Sequence, residues 1–216
     1  MKRGQINPFT MQISFMNKFN FIIICILILV SCSKESISDF NSKYLIAGDS
    51  ISKEVFFSGV IDTLLDCEEY FSHKVGMGYA VDINDDKVND FSILAYSSGG
   101  LGGYSRYMHI VPQDSSDLIC TTTCDTLCYI KILYLGDTIC KQKFWTNQSS
   151  FFLKVYSGFD FQLEKPFYCV YGDWNDVYNN YAGLMKIVEN DTIYGWIRLD
   201  VYDGSKIIIK DYAYRK

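Results

Sequence analysis

The sequence is short of histidine, proline and basic residues, and each shortage removes a class of function. Only His73 and His109 are present among 216 residues, which leaves no basis for the paired histidines of a zinc module. The formal net charge is −5 at pH 7 without a basic stripe, which argues against a nucleic-acid partner. There are three prolines and no Pro- or Ser-rich linker, so one folded domain is enough.

An apolar run long enough to cross a bilayer is also missing, but a shorter one is present near the start. Phe21–Val30 contains ten consecutive apolar residues, too few for the roughly 20 of a membrane-spanning helix but typical of a secretory signal. We therefore predict that residues 1–31 are a cleaved signal peptide. Their removal takes the net charge from −5 to −8, because the segment holds Lys2, Arg3 and Lys18 and no acidic residue.

The end of this run, Leu29-Val30-Ser31-Cys32, resembles the lipobox of bacterial lipoproteins. The resemblance implies that Cys32 is acylated, becomes the mature N-terminus and carries palmitate-type chains that bind the membrane. Acyl chains contribute about 0.8 kcal/mol per buried methylene, and stable anchoring needs more than one chain, which the diacylglyceryl and N-acyl groups of this class supply. An ordinary cleaved signal with a chance cysteine is the alternative.

The residues that follow Cys32 bear on location. Ser33 follows this cysteine in place of Asp, and in this the chain resembles lipoproteins that are sent to the outer membrane. The resemblance implies a cell-envelope protein on either the periplasmic or the surface face of that membrane. Lys34-Glu35 is a short match to the acidic tract that resembles a surface-export signal in Bacteroidetes lipoproteins. Residues 32–43 are polar and aperiodic, and we predict that they form a lipidated tether.

From residue 44 onward the sequence has the pattern of β-strands separated by turns. Short runs rich in Ile, Val, Tyr and Phe alternate with Gly, Asp, Asn and Ser, and no stretch shows sustained helical periodicity. We predict an all-β fold, a single antiparallel β-sandwich of jelly-roll-like type over residues 44–216. The predicted strands are residues 44–47, 54–65, 78–83, 91–96, 106–111, 127–135, 151–156, 167–171, 183–188, 193–202 and 206–214.

The C-terminal strands show the clearest alternation. Apolar residues lie on one face and Trp196 and Arg198 on the other, which predicts a half-buried strand with Arg198 against Trp196 or a neighbouring aromatic ring. Tyr194–Leu199 and Ile209–Tyr214 resemble the C-terminal hairpin of a group of uncharacterised secreted bacterial β-sandwich proteins. The resemblance implies a sandwich fold and export, and no established activity.

The segment DINDDKVNDF contains the best chemical motif, a match to the register of calcium loops. Calcium prefers six to eight hard oxygen ligands, which alternate residues of a tight loop provide. Lys87 stands where such loops prefer Gly, and Ile93 where an EF-hand has its bidentate Glu. A structural calcium site and an acidic turn are both open interpretations. The predicted ligands are Asp82, Asn84, Asp86, the Val88 carbonyl and Asp90.

Six cysteines remain beyond the signal and Cys32, and an even number in an exported chain predicts disulfides. Fifteen pairings of six cysteines are possible, and the sequence does not separate them. A metal site is the weaker interpretation, because the paired C-x2-C spacing is absent. The disulfide candidates are Cys67, Cys120, Cys124, Cys128, Cys140 and Cys169.

Aromatic residues interleaved with Asp and Asn in residues 167–181 are compatible with glycan recognition. Ring faces stack on sugars while amide and carboxylate groups bind hydroxyls, and the candidate ligand-binding residues are Tyr171, Trp174 and Tyr178. The alternative is structural, because tyrosine is favoured in any half-exposed strand. A glycan-binding surface module and a module that binds an envelope protein are therefore both open.

Gly48-Asp49-Ser50 resembles the first block of GDSL-type esterases, which would make Ser50 a nucleophile. Such enzymes need a histidine base in a D-x-x-H pattern, and neither histidine of this chain has an Asp three residues before it. We therefore expect a non-enzymatic, disulfide-bearing envelope lipoprotein with a structural or ligand-binding role. The esterase is the rival hypothesis, and it requires His109 within hydrogen-bond reach of Ser50.

Overall fold

The computed structural model describes residues 44–67, 75–100, 103–122, 124, 126–189, 191–202 and 204–215. All of them belong to one compact unit, Lys43–Lys216. The predicted signal peptide, the lipidation site Cys32, the tether and His73 lie outside the described residues. Within the described ranges, no helix is long and apolar enough to cross a membrane.

The described residues form fifteen strands and no helix, which confirms the all-β prediction. In chain order the strands are β1 (Tyr44–Ile46), β2 (Val55–Phe57), β3 (Thr63–Asp66), β4 (Val75–Val81), β5 (Phe91–Gly100), β6 (Gly103–Pro112), β7 (Asp117–Cys120), β8 (Cys128–Tyr129), β9 (Thr138–Cys140), β10 (Trp145–Thr146), β11 (Ser150–Asp160), β12 (Lys165–Tyr171), β13 (Val177–Val188), β14 (Asp191–Tyr202) and β15 (Lys206–Arg215).

The strands assemble into two large sheets and a short ribbon. Sheet I has the order β10-β7-β13-β14-β15-β2, with β3 also paired to β15. Sheet II has the order β12-β11-β6-β5-β4, with β8 also paired to β11, and the ribbon consists of β1 and β9. The named strands pair antiparallel, apart from the short parallel pairing of β8 with β11.

The space between sheets I and II holds the main apolar core. On β5 the exposure alternates, with Phe91, Ile93 and Ala95 buried and the residues between them half-buried. Phe152 of β11 meets the ring of Trp174 edge to face, with the ring centroids 5.0 Å apart. Two sheets packed over one interdigitated core are a β-sandwich, as the sequence predicts.

Sheet I is also covered on its second face. Leu45 and Ile139 of the ribbon belong to a second apolar cluster that includes Tyr194 and Trp196 of β14. Tyr194 and Trp196 are each only 2% exposed, so β14 is buried on both faces. The prediction of a half-buried strand is therefore wrong, because the ribbon shields the side that the sequence pattern left for solvent.

Arg198 has a different partner from the predicted one. Its Nε donates a hydrogen bond to Asp211 Oδ1 at 3.0 Å, and its Nη2 donates to Oδ2 of the same carboxylate. This pairing raises the pKa of Arg198. Trp196 instead meets Tyr181 edge to face at a centroid distance of 5.2 Å. The prediction that Arg198 stacks on an aromatic ring is therefore wrong.

Several strand bounds differ from the predicted ones. Residues 54–65 form two strands, because the backbone turns at Gly59 (φ +77°) and Asp62 (φ +47°). β13 begins at Val177 instead of residue 183, and of residues 127–135 only Cys128–Tyr129 lie in a strand. In sheet II, the strands β4, β5, β6, β11 and β12 are close to the predicted ones but longer.

Candidate ligand-binding surface

The face of sheet II that points away from the core carries a group of aromatic side chains around one lysine. The strand registers align four of these residues in a row across β5, β6, β11 and β12, because Tyr96 pairs with Tyr107, Tyr107 with Lys154, and Lys154 with Tyr171. Side chains of paired residues lie on the same face of a sheet. We call this surface the aromatic face. It consists of Tyr96, Tyr107, His109, Tyr129, Phe151, Lys154, Tyr156 and Tyr171.

A β-bulge in β11 gives the aromatic face its composition. The register between β11 and β6 shifts between Phe151 and Leu153, so that Phe152 is an extra residue in the strand. Phe152 and Leu153 are consequently both buried, whereas Phe151 and Lys154 both lie on the outer face. A bulge changes the alternation of a strand in this way.

The rings of the aromatic face contact one another, and all of them except the exposed Tyr171 are half-buried. Tyr96 and Tyr107 are stacked with centroids 6.1 Å apart, and Tyr107 meets Tyr156 at 5.9 Å in an edge-to-face arrangement. Tyr156 in turn meets Tyr171 edge to face at 6.0 Å. These contacts restrict the side chains before any ligand binds, which lowers the entropy cost of binding.

Lys154 lies at the centre of this group. Its Nζ is 4.8 Å from the ring centroid of Phe151, 5.1 Å from that of Tyr107 and 5.5 Å from that of Tyr156. Hydrogen bonds from Tyr107 and from Lys154 lower the pKa of Tyr156. Cation–π contacts and the hydrogen bond to Tyr156 hold the ammonium group in place, and its remaining N–H donors can bond to a ligand.

A depression of about 370 Å³ lies beside the aromatic face, over β4, β5 and β6. Two glycines of β4 form one side of it, and Leu94, Tyr96, Tyr107 and His109 contribute to the rest. A Cβ atom at Gly78 would come within 2.8 Å of Leu94 Cδ2, whereas one at Gly76 would make an ordinary 3.6 Å contact with Tyr96. The missing side chains of β4 therefore create the space.

His109 packs against Phe151 with ring centroids 5.4 Å apart, and its Nδ1 lies 3.4 Å from Ser149 Oγ. Burial, and to a smaller extent the charge of Lys154, lower the pKa of His109 from its ordinary 6.5. The imidazole is consequently neutral at pH 7, and Lys154 supplies the positive charge in this part of the face.

The structure separates the three predicted ligand-binding residues. Tyr171 lies on the aromatic face and is 49% exposed, but Tyr178 packs on Tyr202 of sheet I. Trp174 is fully buried, and its Nε1 donates a hydrogen bond to the Ile130 carbonyl at 2.9 Å. The prediction that Trp174 presents its ring to a ligand is therefore wrong, because the indole is part of the sandwich core.

The residues of the predicted calcium loop form a network of turns. Asp82 accepts hydrogen bonds from the backbone N–H groups of Asn84, Asp85 and Lys87, and Asp86 accepts one from the backbone of Val88 at 2.7 Å. Lys87 has φ +73°, so it adopts the left-handed conformation that calcium loops usually reserve for Gly. Calcium binding stays a prediction.

Asp90, the last of the predicted calcium ligands, already has a hydrogen-bond partner at each carboxylate oxygen. Its Oδ2 accepts a hydrogen bond from the Ile83 backbone at 2.6 Å, and its Oδ1 accepts one from Lys186 Nζ at 2.5 Å. Lys186 also donates to Asp117 Oδ1 at 2.9 Å, so one lysine joins two buried carboxylates between the sheets. Burial alone lowers the pKa of Lys186, but the two carboxylates outweigh it and raise the pKa.

One disulfide joins predicted candidates, between Cys124 and Cys128. The prediction of a full disulfide framework is wrong for the described residues. Cys120, Cys140 and Cys169 are outside any disulfide, and Cys67 donates a thiol hydrogen bond to the Ser205 carbonyl at 3.0 Å. Burial raises the pKa of Cys120 to about 11, which makes this thiol unreactive at neutral pH.

The residues that suggested an esterase are not brought together. Ser50 follows β1, which covers the far side of sheet I, whereas His109 lies on the outer face of sheet II. Asp49 accepts hydrogen bonds from the Ser52 hydroxyl and from the backbone of Ile51 and Ser52, so it stabilises a turn. The described residues also contain no cluster of three or more His, Cys, Asp or Glu side chains suited to a metal ion.

Sequence reasoning missed most of the aromatic face. The alternation that placed Ile93 and Ala95 in the core also directs Leu94 and Tyr96 outward, and this signal was available. The bulge in β11 gave no such signal, and without it Lys154 and Phe151 would face opposite sides. Comparison of the chain with protein-family models, with curated proteins and with solved structures finds no match.

Proposed function

We propose that this protein is a lipid-anchored envelope protein whose β-sandwich binds a carbohydrate on the aromatic face. The observation that carries the proposal is the row of Tyr96, Tyr107, Lys154 and Tyr171 across four strands on the solvent side of sheet II. No catalytic role is assigned to any residue of this face.

The chemistry of the aromatic face suits a sugar. Tyrosine rings offer apolar surfaces to the C–H groups of a pyranose, while their hydroxyls and the Lys154 ammonium can bond to its hydroxyls. The depression beside Tyr96 and Tyr107 adds a concave surface next to the flat one. A surface that combines pre-positioned rings with a few polar groups is typical of small-ligand recognition.

Membrane attachment rests on Cys32 and the segment before it, as the lipobox resemblance implies. We expect the expressed full-length chain to fractionate with membranes and to incorporate an alkynyl fatty acid. A Cys32→Ser variant should lose both properties. Label in the Cys32→Ser variant at the level of the native chain would contradict the proposed anchor.

A glycan array tests the binding function, with the detergent-solubilised full-length protein as probe. We expect reproducible binding that falls at least about tenfold for Tyr107→Ala, because an aromatic contact at the centre of a site carries much of its free energy. Tyr171→Ala is the second variant, since this residue lies on the edge strand β12 and is partly exposed.

Tyr178→Ala is the matched control, because Tyr178 is similarly exposed, at 45%, but lies on sheet I. It should bind as the native protein does. The proposal fails if no glycan binds, or if the sheet II variants retain full affinity while their melting temperatures match that of the native protein.

A further inference from the structure

We infer that the carbohydrate carries an anionic group, a carboxylate or a sulfate ester on a sugar ring, and that Lys154 is the residue that binds it. This inference rests on the proposed function, because it assigns a class of ligand to the same aromatic face. It is carried by the surroundings of Lys154 and by the charge of the rest of the chain.

The first observation is that Lys154 has no counter-charge. None of the salt bridges among the described residues includes Lys154. The registers place uncharged residues next to it, with Tyr107 on β6 and Tyr171 on β12. Beyond Tyr107 the same row continues through Tyr96 to Gly76 on β4.

The second observation is the way in which the ammonium group is held. Three ring centroids lie 4.8 to 5.5 Å from Lys154 Nζ. The rings remove part of the water around the ammonium, and its hydrogen-bond acceptor among them is the Tyr156 hydroxyl, which is weaker than a carboxylate. An incoming anion therefore meets a positioned cationic donor, and charge-assisted hydrogen bonds are about twice as strong as neutral ones.

The third observation is the contrast with the rest of the molecule. The chain has a net charge of −5, and cations elsewhere in the sandwich, such as Lys186, Lys210 and Arg198, are in ion pairs with carboxylates. An acidic surface repels anions in general, so a cation without an ion-pair partner on the aromatic face selects for an anion at one position of the ligand. Sugar stacking and charge recognition then coincide on the aromatic face.

The test compares the acidic glycans bound on the array with their neutralised forms, by titration calorimetry on the full-length protein. Carboxylates are reduced to alcohols in one arm, and sulfate esters are removed in the other, so that the two arms identify the anion. We expect the acidic forms to bind at least about tenfold tighter than the neutralised forms. Lys154→Met should remove this difference, so that the acidic and the neutralised forms bind with equal affinity.

Two further variants make the result specific. Lys154→Arg should keep the preference for the acidic forms, because it retains the charge. Lys206→Met, on sheet I, should behave as the native protein does. The inference is overturned if the bound glycans are neutral, if neutralised forms bind equally well, or if Lys154→Met keeps the preference. If the native protein binds only neutral glycans and Tyr107→Ala abolishes that binding, this inference alone is overturned. If no glycan binds at all, the proposed function is overturned as well.

Discussion

At the scale of single residues, His109 shows how a side chain of the aromatic face is adapted to its place. It is the only histidine among the described residues. It packs on the ring of Phe151, which the Lys154 ammonium also contacts. A protonated imidazole there would be partly desolvated and would lie near a second cation. The neutral form is consequently favoured in the folded state.

This lowered pKa predicts a loss of stability in mild acid. As the pH decreases through the ordinary pKa of 6.5, the unfolded chain binds a proton at His109 before the folded chain does. The free energy of unfolding therefore decreases as the pH decreases. We expect His109→Gln to show a shallower decline between pH 6.5 and 5 in urea denaturation. At pH 8 the two proteins should have the same pH slope, and an equal decline below pH 6.5 would contradict the assignment.

Lys186 is the residue whose removal we expect to cost most. Replacement by Met would leave Asp90 and Asp117 buried without their cation, a change that typically destabilises by about 3 to 5 kcal/mol. The control is Lys206→Met. Lys206 Nζ lies 3.7 Å from Asp66 Oδ2 near the surface, where an ion pair contributes about 0 to 1 kcal/mol. Urea denaturation of both variants measures the difference, and equal losses would contradict the role given to Lys186.

The same variant tests the calcium prediction. In the native protein Lys186 already binds the Asp90 carboxylate, the last of the predicted ligands. We expect calcium to raise the melting temperature of Lys186→Met more than that of the native protein, because a divalent cation can then reach Asp90. An equal rise in both proteins would show that the loop binds calcium beside the lysine, and magnesium serves as the control ion.

The pairing of Lys186 with Asp90 could not be predicted from the sequence, although both residues stand in predicted elements. The two are separated by 96 positions and lie near opposite sheets, so only the packing of the sandwich brings them together. The acidic turn itself was predictable, because Asp and Asn favour such turns through bonds to their own backbone.

At the scale of strands, alternation of apolar residues predicted most of sheet II, because its strands face solvent on one side. It failed on β14, where both faces are buried. The residues that cover the second face, such as Leu45 and Ile139, come from short strands far away in the chain. Local periodicity contains no information about such a third layer.

We predict that both glycines of β4, Gly76 and Gly78, are important for binding, and that their replacement by Ala has different effects on stability. Gly76→Ala adds a methyl group at an ordinary contact distance from Tyr96, so we expect an unchanged melting temperature and weaker glycan binding, because the depression is narrower. Gly78→Ala should instead lower the melting temperature, because Leu94 has to move. Unchanged glycan affinity in a folded Gly76→Ala protein would exclude the depression from the site.

At the scale of the whole molecule, the sandwich is held by its core instead of by disulfides. A single described disulfide closes a short loop, Cys124–Cys128, and such a bond contributes about 2 kcal/mol in the chain-entropy description. A domain of this length buries enough apolar surface to fold without further bonds.

We therefore expect the protein to stay folded in reducing agent. The melting temperature should fall by a few degrees, and a Cys124→Ser, Cys128→Ser double variant should show the same decrease without reductant. Cooperative unfolding on reduction would instead indicate additional disulfides. The melting curve of the double variant in reductant is the internal control, because it should not change further.

Because of the bulge at Phe152, the composition of the binding surface depends on the number of residues in β11 as well as on their identity. Whether a side chain of β11 points to the core or to the ligand depends on whether its position is odd or even relative to the bulge. Deletion of one codon at Val155 would exchange the two sides from there to the end of the strand and would turn Tyr156 toward the core, whereas deletion at Phe152 would remove the extra residue and leave Lys154 on the outer face. Among natural variants, the number of residues in β11 from Lys154 onward should therefore vary less than their identity.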